Sequence, residues 1–68
     1  MEMELAMTFK IFFQINDQAP VLAFTWTKIS AQAGIAQAKK DAVLFGYDPS
    51  EMTFFAQSVA TGEIVAYG

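Results

Sequence analysis

The sequence predicts an α+β fold in one small domain, ordered strand, strand, helix, strand, strand. Three observations carry that expectation. Residues Leu5 to Ile15 alternate apolar and polar, a small-residue stripe between Ala31 and Phe45 repeats at helical spacing, and two β-rich runs flank Ala60-Thr61-Gly62. Hairpins on either side of one helix argue for a four-stranded, mainly antiparallel sheet with the helix packed on one face. Setting the third strand beside the first makes every pairing antiparallel, in the order 2-1-3-4. Setting it beside the second requires a parallel right-handed crossover, so the first arrangement is preferred.

The first strand is the clearest element. Side chains alternate between the faces of a strand, so Leu5, Met7, Phe9, Ile11, Phe13 and Ile15 share one face. Ala6, Thr8, Lys10, Phe12 and Gln14 share the other, where Phe12 is the single large apolar exception. Asn16-Asp17-Gln18-Ala19-Pro20 is a run of turn formers. Val21 to Ile29 then reads as the second strand of a hairpin, rich in β-branched and aromatic residues. With Leu22, Phe24 and Trp26 toward the core, Phe13 is expected near Phe24 and Ile11 near Trp26. Thr25 and Thr27 then share the opposite face with Lys10 and Phe12.

Ser30 is a suitable N-cap for a helix over 31–45. Ala31, Ile35, Ala38, Ala42 and Phe45 form its buried stripe with Gly34 beside them, and Gly46 suits the left-handed position that ends a helix. Val43 and Leu44 fall off the stripe, which places at least one against the sheet margin or another subunit. Asp48-Pro49-Ser50-Glu51 has the spacing of a helix start, and a single turn or a tight loop both fit it. Met52 to Val59 and Glu63 to Tyr67 are the last two strands, with Gly62 in the turn between them.

Composition narrows the function classes. A chain of 68 residues has room for one domain. A domain of this size buries only about 60% of its unfolded surface, and a second subunit is a common supplement. The chain has no Cys and no His, which excludes disulfides and zinc sites and removes the commonest catalytic base and strongest nucleophile. Asp17, Asp41, Asp48, Glu51 and Glu63 stand at no spacing that forces two of them into one cleft. Asp41, beside Lys39 and Lys40, reads as part of a solvated helix face. No glycine-rich phosphate loop or calcium-binding loop is present. These features point to a non-enzymatic protein with no cofactor and no metal.

Net charge is −3, with four lysines and no arginine, which argues against duplex nucleic acid as a partner. The acidic N-terminus and the lack of a long apolar run argue against a secretory signal or a membrane segment, leaving a cytoplasmic location as the expectation. Apolar residues make up 54% of the chain and charged residues 16%, so some apolar side chains must face outward, as they do at interfaces.

One helix covers one sheet face, and the other is expected to be bare. Phe54 and Phe55 are adjacent in a strand and must point to opposite faces. The bare face therefore holds Phe12 and one of that pair, assigned here as Phe55, with Lys10, Thr25 and Thr27 at its rim. An aromatic centre with a polar rim resembles a protein interface. An eleven-residue first strand would span roughly 36 Å against about 22 Å for the helix. Leu5 and Met7 would then overhang the domain and be available to a second copy. The expectation is a homodimer using Leu5, Met7 and Phe12, with a further protein partner as a use of the same face. The alternative is a platform for single-stranded nucleic acid, with the rings stacking bases and Lys10 and Lys28 near phosphates.

Overall fold

The computed structural model describes residues 7–27 and 30–68. The elements are β1 (Thr8–Ile15), β2 (Val21–Thr27), α1 (Ala31–Leu44), a 3-10 turn (Pro49–Glu51), β3 (Met52–Ser58) and β4 (Ile64–Tyr67). They form one antiparallel sheet in the order β2-β1-β3-β4, with α1 packed on one face. The predicted fold and strand order are those observed.

The alternation in β1 sets the two layers. Phe9 and Ile11 are buried beneath the helix, and so are Phe54 and Ala56 on β3 and Ala66 on β4. Gly34, Ile35, Ala38 and Ala42 are the buried residues of α1. The helix comes close enough that a Cβ on Gly34 would lie 2.9 Å from both the Trp26 ring and Ile11 Cδ1. Trp26 also fixes the start of the helix, because its Nε1 donates to the carbonyl oxygen of Ser30 at 3.0 Å. The Ser30 side chain in turn accepts from Ala33 N at 3.3 Å, the expected N-cap.

The C-terminus of α1 departs from the expected stripe. Gly46 has φ of 89°, and its N–H donates to the carbonyl of Val43 while Tyr47 N–H donates to that of Ala42. These are the paired bonds of a Schellman cap. Phe45 is the C-cap residue, and the chain has left helical geometry there. Its side chain therefore loses the phase of the stripe and is 78% exposed rather than buried. Val43 and Leu44 are also exposed, so neither meets the sheet margin.

The hairpin register also differs from expectation. Phe9 pairs with Trp26, Ile11 pairs with Phe24, two residues from its expected partner, and Phe13 pairs with Val21, three residues from its own. The β1–β2 ladder is irregular after Ile11: Phe12 pairs with Leu22, leaving Ala23 as the extra residue. This bulge breaks the period-two pattern of β2, and Leu22 is exposed instead of lying in the core with Phe24 and Trp26. Among the described residues β1 begins at Thr8, with Met7 just before it. Leu5, Lys28 and Ile29 lie outside the described residues.

The 3-10 turn resolves the Asp48–Glu51 segment. Asp48 accepts from the Ser50 hydroxyl at 2.7 Å and from the Ser50 amide at 3.0 Å. The hydroxyl first, and then the amide, holds its carboxyl below the ordinary aspartate value. A depressed carboxyl stabilises the fold above its unfolded pKa, and that contribution is lost as pH falls through the folded value. Asp48→Asn keeps a capping oxygen but does not titrate. Its urea midpoint should trail the wild type near neutrality, with the gap closing as pH falls below the ordinary aspartate range. A gap independent of pH would contradict this assignment.

Two substitutions test the close helix–sheet approach. Gly34→Ala gains helix propensity of about 1 kcal/mol, but overpacking against a fixed indole costs about 1–3 kcal/mol. The expected net effect is a lower melting temperature, by several degrees for a domain of this size. Gly68→Ala places a Cβ 2.5 Å from Ile35 Cγ2, while Gly68 is held by hydrogen bonds to Phe54 in both directions. It should destabilise as well. A rise in melting temperature for either variant would show that the helix does not sit this close.

Candidate functional site: the aromatic sheet face

Among the described residues, no element packs on the face of the sheet opposite α1. Strand register determines what that face presents. Phe12 on β1 lies opposite Phe55 on β3, and Phe55 lies opposite Tyr67 on β4. The Phe12 and Phe55 rings stack with centroids 5.1 Å apart and planes 17° from parallel. Phe55 and Tyr67 are 6.3 Å apart and tilted by 49°. Three rings thus form a continuous row across three adjacent strands, with Leu22 on β2 in register with Phe12. Stacking leaves Phe12 and Phe55 half-buried, whereas Tyr67 at the edge is 67% exposed.

Polar residues flank the row on both sides. Lys10 pairs with Thr25 on β2 and Gln57 on β3, and Thr8 pairs with Thr27. Toward the other end, Gln14 pairs with Thr53. Two of the glutamines are tied to the backbone: Gln14 Nε2 donates to Gln18 O at 2.8 Å and Gln57 Nε2 to Gly62 O at 3.0 Å. The rim is therefore partly fixed in place, a feature that reduces the entropy lost on docking.

The sequence-predicted binding residues Phe12, Lys10, Thr25, Thr27 and Phe55 all fall on this one face by register. The choice within the Phe54–Phe55 pair is also resolved: Phe54 is 1% exposed beneath the helix, and Phe55 faces outward. Met7, predicted as a dimer contact, precedes β1 and is exposed. The register of the last hairpin brings Tyr67 to the same face. A shift between Ala56 and Gln57 opposite β4 sets it beside Phe55. No alternation rule could locate that shift from a four-residue strand.

A second apolar feature lies on the helix side, and the sequence reading missed it. The exposed Phe45 and Tyr47 stand at the mouth of a cavity of about 190 Å³ between the end of α1 and the sheet. Asp41 lines this cavity, is half-buried and accepts from Gln37 Nε2 at 3.0 Å, so it is not part of a solvated helix face. The available signal was the run Val43-Leu44-Phe45 followed by Tyr47, more apolar residues than one helix stripe can bury.

Among the described residues, no group of three Asp or Glu side chains is placed to hold a metal ion, and no helix is long and apolar enough to cross a membrane. No protein-family model, curated protein or solved structure matches this chain.

Proposed function

We propose that this chain is a small non-enzymatic interaction module that forms a homodimer, burying the aromatic sheet face with support from the start of the first strand. The observation that supports this reading is the row Phe12–Phe55–Tyr67, three rings in contact at the centre of a face that no described element covers. Apolar surface concentrated in one place and rimmed by threonine, glutamine and a single lysine matches the anatomy of an interface. Size is also compatible. A standard interface takes about 800 Å² from each partner, roughly a sixth of the 4586 Å² that this chain exposes. One face of a two-layer body is of that order.

A C2 dimer is the simplest closed arrangement, because one self-complementary patch serves both copies. Lys10 lies off the aromatic centre, so two copies can meet ring to ring without burying its ammonium. A heterologous protein partner would use the same anchors.

The same row could stack unpaired bases, as platforms for single-stranded nucleic acid do. Such platforms sit in positive grooves, and Lys10 is the only cation on this face among the described residues. The net charge of −3 adds long-range repulsion toward phosphate. Self-association is therefore the better-supported reading.

Sedimentation velocity at micromolar concentration should give a dimer for the wild type and a monomer for Phe12→Ser, with the variant still folded by circular dichroism. A wild-type monomer, or a Phe12→Ser dimer of unchanged affinity, would overturn the reading. Saturable binding of a labelled oligonucleotide at low salt by the wild type, lost in Phe12→Ser, would favour the nucleic-acid alternative.

A further inference from the structure

The cavity at the end of α1 combines two properties that the aromatic sheet face lacks: concavity and a carboxylate. Phe13, Phe24 and Phe54 line it from the sheet, and Phe45 and Tyr47 line it from the chain following the helix. Asp41, on the last turns of α1, is the only charged residue in its lining. Five aromatic rings around one carboxylate form an environment for an organic cation. An aromatic ring attracts an ammonium group to its negative face, and a carboxylate accepts the ammonium's hydrogen bonds.

Asp41 is arranged for that role. Its Oδ1 accepts from Gln37 Nε2 at 3.0 Å, and its other oxygen has no hydrogen-bond partner among the described residues. Gln37 lies one turn earlier on the same helix, so the carboxylate is oriented without being neutralised. Lys40 precedes Asp41 in the sequence but is exposed, and the Lys39 ammonium lies 5.8 Å from the centroid of the Phe54 ring; neither is part of the lining.

Volume limits the ligand. An apolar cavity of about 150 Å³ is enough to hold one benzene ring, and this one measures about 190 Å³. A single ring with a short aminoalkyl arm fills that space, whereas a nucleoside or a two-ring cofactor exceeds it. We infer that the cavity between the end of α1 and the sheet binds a small primary aryl-alkyl amine, its ring among Phe13, Phe24 and Phe54 and its ammonium on Asp41. This site lies on the helix side of the sheet, away from the Phe12, Phe55 and Tyr67 rings, with Leu22, which pairs with Phe12, at its border.

The probes are phenethylamine, 2-phenylethanol and 3-phenylpropionate, titrated at millimolar concentration into the ¹⁵N-labelled full chain and followed by amide chemical shifts. Phenethylamine should move the amides of Phe24, Asp41, Ala42 and Phe54. 2-Phenylethanol should bind about tenfold more weakly, the scale of a lost charge-assisted hydrogen bond, and 3-phenylpropionate should not bind. Asp41→Asn keeps an oxygen for Gln37 and should reduce phenethylamine affinity to that of the alcohol. Equal affinity for amine and alcohol would overturn the role of the carboxylate. No response to phenethylamine, or shifts centred on Phe12, Phe55 and Tyr67, would overturn the site. The three-probe comparison on the wild type decides the matter even if Asp41→Asn fails to fold.

Discussion

The close approach of α1 to the sheet at Gly34 is the constraint on which the rest of the structure depends. With hydrogen in place of a side chain, the helix backbone settles directly on Trp26 and Ile11, and Ala38 and Ala42 continue the contact along the same stripe. Such a seam is narrow. It lets fourteen helical residues cover Phe9, Ile11, Phe54 and Ala56 with small side chains apart from Ile35, while the other large buried side chains come from the sheet. The core is built from strand phenylalanines and Ile11 on one side and Ile35 with alanines on the other, and it has one layer of helix to close it.

Two surfaces follow from that economy. One helix covers one face, so the aromatic row on the other face has no described cover. The small stripe also ends early. Past Ala42 the chain turns through the Schellman cap at Gly46, and Phe45 and Tyr47 swing clear of the sheet. The gap left beneath them is the cavity holding Asp41. Both candidate sites are thus consequences of a helix that is narrow along its seam and short at its end. The cavity lies on the helix side of the sheet, away from the rings of the row, with Leu22 at its border.

The fold was legible in the sequence because its signals are local and redundant. Alternation in β1, the Ser30 cap, the small stripe and Gly46 each act within a few residues and agree with one another. The open face was legible for the same reason, since Phe54 and Phe55 must part whatever the register. What could not be read depends on non-local geometry. The bulge at Ala23 moves Leu22 out of the core, and only the pairing of β2 with β1 reveals it. Phe45 obeys the helical period in sequence, yet the helix ends one residue before it. The Asp41 cavity required both facts, and so no pattern along the chain announced it.

The central claim is that the Phe12–Phe55–Tyr67 row is the surface through which two copies meet. Isotope-filtered NOE spectroscopy on a mixture of labelled and unlabelled protein tests it most directly. The account predicts intermolecular contacts from the ring protons of Phe12 and Phe55. Intermolecular contacts confined to Leu44, Phe45 and Tyr47, with none from the sheet face, would contradict it.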